Sequence, residues 1–242
     1  MNVIVQPWNI KHIIIKTSDK INLLNQNNTI IISPEILASI TINKLNEKKI
    51  SMIFNTITIK NEEYTHKINN PEIYFKKDSN KNLQFVLKSK KLIYKPAFVN
   101  INTINNIEIT GKLVNYKNID INNYFNWFAN EGGLDIENFN FNISQDLLNG
   151  NAFFGIDKNL DIQSSVSFQS ENLSKVFKIL KNNNYITENT FKTSNFIIKA
   201  IEIAANFSEK KPSYSISMQN GYLSLMGVKL INLPNLKILE EN

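Results

Sequence analysis

The sequence predicts a mainly β (α+β) chain, a curved antiparallel sheet of hairpins and meanders with a C-terminal helix pair and a closing β-hairpin. Three observations carry that expectation. Apolar and polar residues alternate in short β-branched and aromatic runs through the first 118 residues, the signature of half-buried strands. Two stretches between Ser170 and Phe207 switch to a helical period. Asn220-Gly221 then sits between two runs whose apolar residues match across it. Residues 1–118 read as an antiparallel β-sheet region. Residues 119–242 read as a β-meander, two helices and a terminal hairpin, continuous with the first sheet.

Taken in order, Ile40 and Ile42, then Met52 and Phe54, then Ile57 and Ile59 alternate with polar neighbours, and Asn43 to Lys49 make a polar turn. Ser33-Pro34-Glu35 resembles a helix start, but the β-branched residues that follow suit a pleated surface better. Ile73 and Phe75, the turn Lys77 to Asn80, and Leu83, Phe85 and Leu87 form a further hairpin, and Ile101 to Leu113 continues in strand. Tyr124, Phe125, Trp127 and Phe128 crowd one or two helical turns that stop at Gly132-Gly133, where glycine tolerates positive φ. This cluster reads as a core plug rather than a ligand platform, because aromatic side chains bury most of their area.

Strands resume with Leu134, Ile136, Phe139, Phe141 and Ile143. Asn149-Gly150 offers a tight turn, and Asp157 to Asn159 another before the strand of Leu160, Ile162, Val166 and Phe168. Ser170 can cap a helix whose stripe is Leu173, Val176, Phe177 and Leu180. A second helix fits Glu188 to Phe207, burying Phe191, Ile198, Ile201 and Ala205, with Ile197, Ala200 and Ala204 widening that face. In the last hairpin a type I′ turn at Asn220-Gly221 sets Gln219 opposite Tyr222, Met218 opposite Leu223 and Ile216 opposite Leu225.

Composition narrows the chemistry. Of 242 residues none is Cys, so thiolate metal sites, iron-sulfur clusters and cysteine nucleophiles are excluded. The net charge of +6 comes from Lys alone, without a single Arg. A nucleic-acid reader draws on Arg for bidentate contacts to guanine or phosphate, so nucleic acid is not the expected partner. His12 and His66 have no metal-ligand spacing, and no nucleophile elbow, P-loop or dinucleotide fingerprint occurs. The carboxylate groups Glu62-Glu63, Asp135 with Glu137, and Glu240-Glu241 single out no dyad. No catalytic, cofactor or metal residue is expected, and the chain reads as non-enzymatic. No run approaches the roughly 20 apolar residues of a membrane-spanning helix, and Met1 to Trp8 carries no signal-peptide pattern.

The segment Trp127-Phe128-Ala129-Asn130-Glu131-Gly132-Gly133-Leu134-Asp135-Ile136 resembles the tryptophan, Gly-Gly and strand segment of the alphaproteobacterial domain-of-unknown-function family 2125. The Gly155-Ile156-Asp157 turn, the helix pair, and Asn220 to Leu225 followed by Leu233-Pro234-Asn235-Leu236 fit it too. Together they cover about half of the chain. Phe128 stands where that family carries a basic residue, and its N-terminal anchor region is not present, so a truncated or re-started reading frame is expected. The resemblance implies an uncharacterised envelope protein, distantly AsmA-like, periplasmic or inner-membrane associated, that contacts phospholipid or the membrane surface. The expected lipid groove is lined by Ile57, Ile59, Phe85 and Leu87, with Trp127, Gly132, Gly133, Asn220 and Gly221 as the structural motif. The alternative is a structural or protein-interaction module without a small-molecule ligand.

Overall fold

A computed structural model describes the chain apart from residues 1, 7–8, 18–20, 26–27, 33–35, 43–47, 62–63, 79–80, 99–100, 120–123, 144–145, 158–160, 172, 183, 185 and 234–242. The Ser33 to Glu35 segment, most of the Asn43 to Lys49 turn, Ser79-Asn80, Lys158 to Leu160 and Pro234 to Leu236 lie outside the described residues. The chain is mainly β and antiparallel, with helices towards the C-terminus. It divides into two compact units. One holds residues 1–112 and 140–144, the other residues 113–139 and 145–242.

The first unit contains β1 (Asn2–Gln6), β2 (Asn9–Thr17), β3 (Ile21–Asn25), β4 (Asn28–Ile32), β5 (Ile36–Ile42), β6 (Lys48–Ile53), β7 (Thr56–Lys60), β8 (Thr65–Asn69), β9 (Glu72–Lys77) and β10 (Leu83–Phe98). Their partners skip along the chain: β2 pairs with β1 and β5, β5 with β6, and β6 with β9. Meanwhile β3 pairs with β4, β4 with β7, and β7 with β8. The registers explain the skipping. Thr17 faces Ile36 and Ile21 faces Ile32, so β2 and then β3 meet β5 and then β4 in order. Likewise Ile53 faces Glu72 while Thr56 faces Asn69. The uninterrupted β10 pairs first with β9, through Lys88 and Glu72, and then with β8, through Lys91 and Asn69.

Successive long strands therefore break side by side, and the breaks form a crease across the sheet. Thr17, Ile36, Phe54 and Pro71 are buried along it. Pro71 has no N–H to give to a ladder, which favours a break there, but its carbonyl accepts from Phe54 N at 3.0 Å. Asn70, at φ 49°, donates from its N to Asn55 O at 2.7 Å. Across the crease Ser89 Oγ donates to Asn69 O at 2.8 Å. Phe54, expected to extend a strand, instead fills this line.

After β11 (Ile101–Val114), the second unit opens with α1 (Tyr124–Ala129) and β12 (Gly133–Ile143), whose far end belongs to the first unit. Trp127 is buried and its Nε1 donates to Val114 O at 2.8 Å, in keeping with a core plug. The glycines act differently from the expectation. The positive φ that ends α1 belongs to Glu131, at 60°, not to Gly132 or Gly133. Gly132 is required for space, because a Cβ there would lie 2.3 Å from Trp127 O and 2.4 Å from the indole.

β13 (Asp146–Ile156), β14 (Ile162–Gln169), β15 (Ser213–Gln219), β16 (Tyr222–Leu225) and β17 (Val228–Asn232) form a meander, with α2 (Leu173–Asn182) and α3 (Glu188–Phe207) between β14 and β15. Asn149-Gly150 is not a turn: the pair sits inside β13, opposite Gln169 and Phe168. A Cβ on Gly150 would lie 2.0 Å from Ser167 O, so this glycine permits close strand packing. The row Ala152, Val166, Ile216 and Leu225 shares one face with Phe168 and Tyr214, whereas Ser165, Ser167, Ser215, Ser217 and Ser224 take the other. α2 packs on α3, and α3 on β15 and β17.

Just before α2, Ser170 Oγ donates to Asp146 Oδ2 at 2.6 Å, and Asp146 Oδ1 accepts from Glu171 N at 3.1 Å, so a carboxylate from β13 holds the approach to the helix. On α3, Ile198 and Ala205 are buried and Phe191, Ile197 and Ile201 half-buried, but Ala200 and Ala204 face outward rather than widening the inner face. The terminal hairpin has the expected register throughout, with Asn220 at φ 52° and Gly221 at 73°. Leu225 is fully buried and Ile216 half-buried.

Candidate functional site

Directly opposed residues in antiparallel strands project to the same face. On β2, β5, β6, β9 and β10 this joins Ile13, Ile40, Ile50, Phe75 and Phe85 into one row. Two residues along, Ile15, Ala38, Met52, Ile73 and Leu87 form a second. Ten consecutive positions on one sheet face are thus apolar. On the other face the matching rows carry His12, Thr41, Lys49, Lys76 and Gln84, then Ser39, Ser51 and Tyr74 with Ile14 and Val86 at the two ends. That opposite face supplies most of the lining of a hollow of about 460 Å³.

The apolar rows are not sealed. Phe85 is 7% exposed and Ile50 36%, with the other eight between these limits. Among the described residues the first unit buries Ile36, Phe54, Pro71 and Phe85, while its two apolar rows retain contact with solvent.

The four groove residues expected from the sequence fall on both sides of the crease. Phe85 and Leu87 belong to the rows above. Ile57 faces Ile68, which faces Leu92, while Ile59 faces His66, which faces Tyr94, in the half formed by β7, β8 and the end of β10. Ile57, Ile59 and Leu87 are half-buried and Phe85 is buried. The structure brings them together in two pairs, not one line. Sequence reasoning missed Ile13, Ile15, Ile50, Ile73 and Phe75 as members of the face. Ile73 and Phe75 alternate visibly, but Ile13 and Ile15 sit in an unbroken run with Ile14, and the common side of all five follows only from pairing between strands separated by another hairpin.

Polar groups in this unit are arranged locally. His66 stacks on Tyr64 with ring centroids 4.7 Å apart and meets Tyr94 edge-on at 6.4 Å, and its buried Nδ1 has no hydrogen-bond partner. Burial pushes the Tyr94 phenol up. The Tyr74 hydroxyl donates to Glu72 Oε2 at 2.7 Å, and that bond, with the nearby negative charge, also raises its pKa. His12 Nε2 lies 2.8 Å from Ser39 Oγ.

In the second unit Trp127 bonds to β11 and packs on Gly132, Gly133 lies close against Phe153 and Phe154 of β13, and Asn220 and Gly221 turn the last hairpin. These five positions act in packing and turn geometry. Ser170 donates to Asp146, and Glu202 Oε1 accepts from Ser174 Oγ at 3.0 Å. Burial, then the charges of Glu202 and Asp146, push the Tyr214 phenol up to about 12. Among the described residues no three His, Asp or Glu side chains are grouped to hold a metal ion.

Comparison with protein-family models, with curated proteins and with solved structures finds no match for this chain.

Proposed function

We propose that the chain is a non-enzymatic, β-rich protein of the bacterial cell envelope whose first unit holds lipid acyl chains against its apolar sheet face. The observation that carries the reading is the pair of five-residue apolar rows, half-open to solvent, on a sheet whose other face is mixed, with Thr41, Lys49, Lys76, Gln84, Ser39 and Ser51 among its residues. Such a face is unfavourable in water, and each 100 Å² of it that a ligand covers is worth about 2.5 kcal/mol before the costs of ordering the ligand. Contiguous exposed apolar patches mark binding surfaces.

The envelope setting, periplasmic or on the inner membrane, rests on the resemblance of the Trp127 to Ile136 segment. No helix among the described residues is long and apolar enough to cross a membrane, so the reading makes lipid a ligand of the sheet rather than the solvent of a helix.

Native mass spectrometry of the full chain purified from a bacterial host tests this directly. Phospholipid adducts should accompany the unmodified protein and be lost from an Ile40→Asn, Ile50→Asn double variant that keeps its circular dichroism. An unmodified protein free of lipid would sink the reading and favour an interaction module without a small-molecule ligand.

A further inference from the structure

α3 is apolar on two opposite sides, and only one of them is used. Ser194 and Ile198 are fully buried and Ala205 is 8% exposed on the inner side. At 100° per residue the opposite side carries Phe196, Ile203 and Phe207, which are 77%, 57% and 88% exposed. A helix that is apolar all round is normally enclosed. Here the outer stripe has no cover among the described residues.

Charge says what covers it. Lys192 and Lys199 run along one flank of the stripe, and Lys210 follows just beyond its end. The acidic groups of the helix are already engaged. Glu188, on the same flank, is held by Lys181 at 2.8 Å and reaches Lys192 at 3.8 Å, and Glu202 accepts from Ser174 of α2. The outer side is thus apolar with a cationic rim, the pattern of a helix lying in the interface of an anionic bilayer, its lysine stems reaching up to the phosphates. Two copies joined stripe to stripe in antiparallel fashion would set both lysine flanks along the same edge, where like charges repel.

We propose that the outer face of α3 docks on an anionic membrane surface, with Phe196, Ile203 and Phe207 entering the headgroup boundary and Lys192, Lys199 and Lys210 meeting the phosphates. This site lies in the second unit and is independent of acyl-chain binding by the first: a protein that carries no lipid can still dock, and a lipid carrier can fail to.

Flotation of the full chain with phosphatidylglycerol-containing vesicles and with pure phosphatidylcholine vesicles tests it. The unmodified protein should partition at least about tenfold more strongly onto the anionic vesicles, and less so as salt rises. Phe196→Ser with Phe207→Ser should lower that partition about tenfold, and Lys192→Gln with Lys199→Gln should abolish the preference for anionic lipid. Both pairs are exposed, and unchanged circular dichroism would confirm that they fold. Equal partition of unmodified protein and Ser variant would overturn the proposal. So would absence of vesicle binding, including the case in which the protein sediments as a dimer that the Ser variant dissociates.

Discussion

Replacing Tyr214 by Phe isolates the effect of one hydroxyl. The Tyr214 side chain is 1% exposed, its ring lies 5.8 Å from that of Phe168, and its hydroxyl has no hydrogen-bond partner. A buried, unpaired hydroxyl costs about 1–3 kcal/mol, and Phe keeps the ring in place, so Tyr214→Phe should be about 1 kcal/mol more stable at neutral pH. The alkaline limb gives a second and independent reading. The phenol ionises near 10 in the unfolded chain but at about 12 in the folded one. Between those values the unfolded state releases a proton that the folded state keeps, so stability falls as pH rises. The contribution is fully present below pH 10 and lost by about pH 12. At about 1.4 kcal/mol for each tenfold change in the ionisation constant, it amounts to about 3 kcal/mol. Urea unfolding of both proteins across this range measures it, and the difference between them cancels the other tyrosines and the lysines. Parallel loss of stability in the two proteins would refute the burial argument. A Phe variant weaker by about 1 kcal/mol at neutral pH would show that the hydroxyl is hydrogen-bonded after all.

Three further substitutions probe the second unit. Gly150→Ala should cost about 3 kcal/mol or more in the urea midpoint, since its Cβ would meet Ser167 O at 2.0 Å and Phe168 Cα at 2.8 Å, both backbone atoms. Asp146→Ala removes the acceptor for Ser170 Oγ and Glu171 N just before α2 and should cost about 2 kcal/mol, with amide exchange quickening first in that helix. Gly221→Ala has ample room, with only Leu233 O at 4.0 Å, so only the strain of φ 73° remains and the loss should be about 1 kcal/mol in thermal unfolding.

How much of this was legible depends on whether the deciding contact is local. The terminal hairpin was readable to the residue because Asn220-Gly221 fixes the turn and both strands supply matching faces within twelve positions. Asn149-Gly150 has the same dipeptide and no turn. There the outcome is decided by β14 and by Phe139, whose ring would lie 2.9 Å from a Cβ on Gly150. On α3 the helical period was clear, but apolar residues on two sides left periodicity unable to choose the buried one, which is why Ala200 and Ala204 were assigned inward. The groove residues suffered from the same limit. Ile57 with Ile59, and Phe85 with Leu87, each alternate correctly, but only the pairing of β10 with β9 and then β8 reveals that a crease separates them.

That crease bears on how this chain tolerates changes in length. Leu37 faces Ile53 on one side of it and Ile32 faces Ile57 on the other, so the two pairings are separated by four residues between β4 and β5 and by three between β6 and β7. One surplus residue is absorbed between the halves, and each half keeps its own register. Within a strand the same insertion would turn every following side chain to the other face and put the apolar rows on the mixed side. Single-residue insertions and deletions among descendants of this sequence should therefore collect at the crease, near positions 33–36, 54–55 and 70–71, and be purged from the strands that flank it.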